Sequence, residues 1–140
     1  MVNKSLVKPD EMPASLLDLT NPKWKGRTAI ANPLYGTTTF HVAALFTAWG
    51  EARARQFMND LKLNGVRVAS SNGEVRRLVV AGKVSFGLTD INDAFEAVKQ
   101  GAPVEIVYPD QDTFGIVAAI LVLAALAFRF GVTGRSGRQA

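Results

Sequence analysis

Tyr35-Gly36-Thr37-Thr38-Thr39 is the first of three polar clusters that follow a short apolar stretch and open a helical pattern. The second, at residues 70–73, reads Ser-Ser-Asn-Gly, and the third, at residues 89–93, reads Thr-Asp-Ile-Asn-Asp. In a parallel α/β sheet every strand-to-helix turn lies on the same edge, so three helix N-termini with free N–H groups meet there. We therefore predict a lobe that binds something small and polar.

Alternating strand and helix patterns surround these clusters. We predict strands at residues 27–31, 66–68, 84–88 and 104–108, and helices at residues 38–49, 51–63, 74–81 and 91–100. The helix at 38–49 is apolar enough to be mostly buried, whereas the helix at 51–63 is amphipathic. The predicted fold is a single α/β lobe at residues 27–114, with a mostly parallel sheet flanked by helices. Residues 1–26 form an irregular, hinge-like lead-in.

An unbroken apolar run occupies residues 115–128 and is followed by an Arg- and Gly-rich tail. We predict an apolar C-terminal helix over residues 115–132 and a polar tail over 133–140. A membrane-spanning helix needs about 20 apolar residues, so this run is too short to span comfortably. It is better explained as a helix that packs on the sheet or on a second copy. The sequence thus favours a homo-oligomer formed through residues 115–130 over a membrane anchor.

Composition excludes several classes of function. The chain has 140 residues, a net charge of +4 and no cysteine, which excludes disulfides and cysteine nucleophiles. Much of the basic excess lies in residues 21–27 and 129–138 without interleaved aromatic residues, so we do not expect nucleic-acid binding. The sole histidine lies in an apolar helix, and neither a Gly-x-Ser-x-Gly elbow nor a P-loop lysine is present. We therefore do not expect an enzyme.

The placed motifs carry a family resemblance that extends over residues 2–115. They lie at residues 16–26, 36–37, 50–51, 64–66, 71–73, 82, 87–90 and 107–111. In this order and spacing the chain resembles the second lobe of periplasmic solute-binding proteins of ATP-binding-cassette importers, closest to the ferric-iron-binding type. The resemblance implies a periplasmic location and an importer permease as partner, although residues 1–10 lack the apolar core of a secretory signal.

The resemblance also implies a two-lobed protein, of which this chain looks like a truncated part with the first lobe missing. A micromolar binder has about −8 kcal/mol to distribute, so a lobe that supplies half retains about −4 kcal/mol, which is millimolar affinity. We therefore expect a weak or vestigial site. The alternative is a structural or membrane-tethered dimerisation domain that binds no ligand.

Candidate ligand contacts follow from the clusters. In ferric-binding members adjacent tyrosines hold the metal, and these positions correspond to Asn92 and Asp93 here. The turns that hold an anion correspond to Gly36, Thr37, Thr38 and Asn72. The chemistry of these residues suits an anion. Gly36 permits close backbone approach, and the hydroxyl and amide groups donate hydrogen bonds.

Further features of the clusters leave the chemical class of the ligand undetermined. Thr37, Thr38, Ser71 and Asp90 also suit ordinary helix N-caps, and Tyr35 suits the rim of the site or simple packing. Asp90 and Asp93 would repel an anion but suit an amine or a metal. The candidate ligands are thus a phosphate-like anion, a metal such as a ferric ion with its anion, or a zwitterion.

Overall fold

The computed structural model describes residues 1–109. Within them lie five strands: β1 (Val2–Asn3), β2 (Thr28–Ala31), β3 (Arg67–Ala69), β4 (Phe86–Leu88) and β5 (Val104–Glu105). Four α-helices accompany them: α1 (Gly36–Trp49), α2 (Glu51–Leu63), α3 (Asn72–Val80) and α4 (Ile91–Lys99). Three short 3-10 helices lie between β1 and β2, at Pro9–Glu11, Leu16–Thr20 and Pro22–Trp24. The predicted C-terminal helix and tail, at residues 115–132 and 133–140, lie outside the described residues.

The strands form one sheet in the order β3-β2-β4-β1-β5. Strand β2 pairs in parallel with β3 on one side and β4 on the other, whereas β1 pairs antiparallel with both β4 and β5. Four of the five strands therefore point the same way, and β1 alone runs against them. This arrangement confirms the predicted α/β fold with a mostly parallel sheet.

Two apolar clusters cover the sheet. One joins α3 and α4 to it through Val75, Val79, Ala94 and Ala97. The other joins the 3-10 segment and α2 to it, with Trp24 stacked edge-on against Phe86 at a centroid distance of 5.3 Å. The lead-in is thus part of the core.

The helices and strands predicted within residues 1–109 all occur, most of them with shifted ends. Helix α2 has the predicted bounds, while α3 begins at Asn72 and not at Glu74, and β5 ends at Glu105 and not at Tyr108. Gly50 joins α1 to α2. Its φ of 76° lies in the region that favours glycine. Within residues 1–109, no helix is long and apolar enough to cross a membrane.

The expectation that α1 is mostly buried is wrong for the described part of the chain. Only Thr38, Ala44 and Leu45 of this helix are buried, and Phe40 is 72% exposed. Mean apolarity indicates that a helix can be buried, but the arrangement of neighbouring elements decides whether it is.

Gly87 in β4 has no room for a side chain. A Cβ atom at this position would lie 2.5 Å from Val75 Cγ1 and 2.9 Å from the backbone oxygen of Ala29. Helix α3 therefore packs directly on the backbone of β4, and this close approach holds the start of α3 at the sheet.

We predict that Gly87→Ala lowers the free energy of unfolding by about 1–3 kcal/mol, because overpacking displaces α3 or the central strand. Chemical denaturation measures this loss. Gly73→Ala is the matched control, since its nearest neighbour would lie 3.5 Å away. Equal stability of the two variants would contradict the close packing of α3 on β4.

Candidate functional site

The carboxyl ends of β2, β3 and β4 lie on one edge of the sheet, and each leads into a helix. After β2, the side chain of Asn32 accepts a hydrogen bond from Leu34 N at 2.9 Å, and its backbone N–H donates to Ala69 O of β3 at 2.8 Å. Gly36 then starts α1 with φ 64°. Among residues 1–109, no side chain caps α1.

Helices α3 and α4 begin with side-chain caps. Ser71 Oγ accepts from Glu74 N at 3.1 Å, and Asp90 Oδ1 accepts from Asp93 N at 2.9 Å. Glu74 in turn accepts from the hydroxyl and backbone N–H of Ser70, at 2.7 and 2.6 Å. These hydrogen bonds hold the pKa of Glu74 below its ordinary value. The N-cap interpretation of Ser71 and Asp90 is therefore confirmed.

The side chain of Asn72 joins all three helix starts. Its Nδ2 donates to Thr37 Oγ1 of α1 at 2.8 Å and to Asp90 Oδ2 at 3.0 Å. The hydroxyl of Thr89 donates to the backbone oxygen of Asn72 at 3.1 Å. We name Thr37, Asn72 and Asp90 the three-helix cluster. Its existence confirms that the polar turns share one edge.

This bonding pattern determines which polar groups remain available to a ligand. Both hydrogens of the Asn72 amide are used inside the cluster, where the side chain bridges Thr37 and Asp90. Thr37 accepts from Asn72 through its oxygen, which leaves its hydroxyl hydrogen free to donate outward. The donors at the surface are thus the exposed Thr37 hydroxyl and the N–H groups at the start of α1.

The remaining predicted site residues spread over a wider surface. Tyr35, Gly36 and Asn92 are exposed, whereas Thr38 is only 4% exposed and its side chain faces the interior of the lobe. Tyr35 and Asn92 are not part of the cluster's hydrogen bonds.

Asp93 lies beside the cluster on α4. Its Oδ1 is 3.5 Å from Arg76 Nε of α3. Burial and the neighbouring charge of Asp90 raise the pKa of Asp93, while Arg76 and Arg77 act in the opposite direction. Within residues 1–109, no group of three or more His, Cys, Asp or Glu residues is placed to hold a metal ion. Asp90 and Asp93 supply carboxylate oxygens at the cluster, and Glu74 supplies another at the start of α3.

Sequence reasoning missed Arg76 and Thr89. Thr89 directly precedes the Asp90 cap, and Arg76 follows Asn72 by one helical turn. Because residues four apart share a helix face, this spacing was the available signal that Arg76 faces the same neighbour as Asn72.

A family model agrees with this architecture. The model for bacterial extracellular solute-binding proteins matches residues 1–127. The chain belongs to this family. Among its relatives, the Fe(3+)-binding periplasmic protein of Serratia marcescens is 34% identical over 86 residues, which cover 61% of this chain and 25% of that protein.

Solved structures of periplasmic binding proteins also match this chain. The periplasmic binding protein AfuA from Actinobacillus pleuropneumoniae, with fructose-6-phosphate bound, matches with a TM-score of 0.68 and 30% identity. That match covers 77% of this chain and 35% of AfuA. Iron-bound HitA from Pseudomonas aeruginosa matches with a TM-score of 0.61 and 25% identity, over 71% of this chain and 32% of HitA. The chain thus spans between a quarter and about a third of these relatives.

The charges around Asp93 lead to a testable prediction about how stability depends on pH. Because the folded state raises the pKa of this carboxyl, it holds the proton more tightly than the unfolded chain does. This group's contribution to stability is therefore present at low pH and is lost as pH rises through the folded pKa. We predict that carbon-detected NMR titration gives Asp93 a pKa above the ordinary aspartate value.

Two variants separate the causes of this shift. Asp90→Asn removes a repelling charge and should lower the Asp93 pKa, whereas Arg76→Gln removes an attracting charge and should raise it further. Shifts in the same direction in both variants would contradict this account of the local charges.

Proposed function

We propose that this chain is a ligand-binding lobe of a periplasmic solute-binding protein, and that the three-helix cluster forms part of its ligand surface. The observation that carries the proposal is the bridge by Asn72, which fixes Thr37 and the uncapped start of α1 against Asp90. An uncapped helix start beside a free hydroxyl offers several hydrogen-bond donors to one small acceptor. Binding, and not catalysis, is the role that these donors suit.

An anion that contains phosphate or carboxylate is the ligand class that this surface favours. The charge of Asp90 opposes an anion, but both of its oxygens accept internal hydrogen bonds, from Asn72 and from Asp93 N. Part of that charge is therefore already compensated inside the protein. The phosphate of the sugar phosphate bound by AfuA supports the same class. Delivery to an importer permease and a periplasmic location belong to this proposal.

A metal held with its anion is the competing ligand class, in keeping with the iron-binding relatives. Asp90 and Asp93 would be its protein ligands in this lobe. Further donors would then have to come from the bound anion or from a second lobe, because a ferric ion prefers several hard oxygen donors.

We predict that inorganic phosphate at millimolar concentration shifts the amide NMR signals of residues 36–38. If the lobe binds phosphate with a dissociation constant of about 1 mM, then about 10 mM phosphate raises the free energy of unfolding by about 1.4 kcal/mol. Thr37→Val removes the donor hydroxyl and should weaken binding by about tenfold or more. Thr39→Val is the matched control on the same helix. Equal weakening in both variants would contradict a direct role for Thr37.

Asp90→Asn distinguishes an anion from a cation, because asparagine keeps a capping oxygen and removes the charge. We predict that this variant binds inorganic phosphate more tightly than the unchanged chain. A simple amine such as ethanolamine serves as the cationic probe. If the surface selects cations, the variant should instead lose amine binding and gain no phosphate affinity, and the anion proposal would be wrong.

A second candidate function is self-association, which a feature of α4 favours. This helix buries the small side chains of Ala94 and Ala97 and leaves larger apolar side chains partly exposed, namely Ile91, Phe95 and Val98. Their spacing places them near one another along the helix. The predicted association segment at residues 115–130 lies outside the described residues, so the α4 surface is what can be tested directly.

We predict that, if the chain associates through α4, Phe95→Ser shifts sedimentation equilibrium of the full chain towards the monomer. Phe95 is 55% exposed, so the substitution should leave the fold intact. Leu34→Ser is the control, because Leu34 is 73% exposed and lies in the turn before α1. An unchanged association constant for Phe95→Ser would exclude α4 as the contact surface.

A further inference from the structure

The edge of the sheet opposite the three-helix cluster carries a concentration of positive charge. Strands β2 to β5 begin at this edge and β1 ends there, because β1 runs against the others. Exposed basic residues occur in the turns that join these strand ends. We name the following set the basic edge: Lys4, Lys8, Lys25, Arg27, Lys62 and Lys83.

Contacts between the turns show that these residues share one surface. Arg27 Nη2 lies 3.5 Å from the backbone oxygen of Leu6, which connects the β2 turn to the segment after β1. Gly26 N donates to Asn64 O at 2.9 Å, which connects the β2 turn to the end of α2. A Cβ on Gly82 would lie 3.6 Å from Leu6 Cδ1, so the turn before β4 adjoins the same segment.

Asp60 lies beside Lys25, and Asp10 and Glu11 follow Lys8 closely in the chain, so three carboxylates lie near the six basic residues. Residues 4–8, 25–27, 62–65 and 81–85 contain no Asp or Glu. The nearby Glu11 is bonded to Lys23 at 3.0 Å. Lys23 is the main cause of the lowered pKa of Glu11, and the charges of Lys8 and Arg27 lower it further. The pKa of Glu11 thus reports the combined positive charge of Lys23, Lys8 and Arg27.

Exposed leucines lie among these cations. Leu63 is 72% exposed and lines a shallow depression together with Lys25 and Asp60, while Leu6 is 41% exposed. Surfaces that combine lysine with exposed leucine suit the headgroup region of an anionic bilayer, where charge attracts the protein and leucine enters the boundary of the acyl chains. We propose that the basic edge binds the surface of an anionic phospholipid bilayer.

Charge complementarity alone would also allow a nucleic acid, but the surface lacks what such a partner requires. Single-stranded nucleic acids bind through aromatic side chains on which bases stack. Trp24 lies at the basic edge, with Lys23 and Arg27 over its ring at 4.8 and 5.2 Å, yet it is only 2% exposed. Its ring is covered, so it offers no stacking surface.

The proposal goes beyond ligand binding and has a geometric consequence. The three-helix cluster lies at the ends of β2, β3 and β4, and the basic edge lies at their beginnings. A lobe bound through the basic edge would therefore hold its ligand surface away from the bilayer. Loss of ligand binding and loss of membrane binding would be separate results, since the two surfaces share no residue.

Sedimentation of the full 140-residue chain with vesicles tests the proposal. We expect binding to phosphatidylcholine vesicles that contain phosphatidylglycerol, and much weaker binding to phosphatidylcholine alone. Salt at about 1 M should abolish the difference, because the Debye length then falls to about 3 Å. The double variant Lys25→Gln/Lys83→Gln should lower the partition coefficient by about 25-fold, since each cation contributes about fivefold.

Arg53→Gln/Arg55→Gln is the matched control, because it removes two exposed charges near the start of α2, away from the basic edge. Thermal unfolding of both variants verifies that they fold. The proposal is overturned if both variants lose equal affinity, or if the chain does not bind anionic vesicles. It is also overturned if neutral and anionic vesicles bind equally and salt has no effect, which would assign binding to the apolar residues 115–128.

Discussion

The parallel pairing of β2 on both of its sides is the constraint on which the rest of this lobe depends. Ala31 lies opposite Ala69 of β3, and Ile30 lies opposite Leu88 of β4, so the three strands end almost level. Each strand must then turn into a helix at the same edge. The small residues Ala29 and Gly87 allow α3 to approach the backbone closely, and this packing fixes where its N-terminus lies.

The elements of this fold could be predicted because their ends carry strong local signals. Gly50 separates α1 from α2, and Asn64-Gly65 ends α2 where a left-handed residue is needed. The common position of Thr37, Asn72 and Asp90 also followed from sequence, since parallel strands leave no other edge for the turns. The bridging role of Asn72 could not be predicted, because it depends on side-chain rotamers and on sub-ångström spacing between three turns.

Two other features depend on tertiary structure and could not be predicted from the sequence. In the sequence, much of the basic excess lies in residues 21–27 and 129–138, and Lys4, Lys62 and Lys83 are distant from these segments. Folding brings the four turns together, so the positive surface appears only in three dimensions. In the same way, the apolarity of α1 indicated burial, but Phe40 remains exposed because the described elements pack against other faces of that helix.

The two edges of the sheet therefore differ in electrostatic character. At the three-helix cluster, carboxylates from Glu74, Asp90 and Asp93 accept hydrogen bonds from helix starts or from Asn72, or approach Arg76. Those partners compensate negative charge locally, and within the described residues no side chain caps the start of α1. At the basic edge the positive charges have few such partners, so their field extends into solvent and falls off with the Debye length. Short-range donors suit recognition of one small molecule, whereas an uncompensated field suits a large charged surface. One mixed sheet thus provides two kinds of surface at its opposite edges.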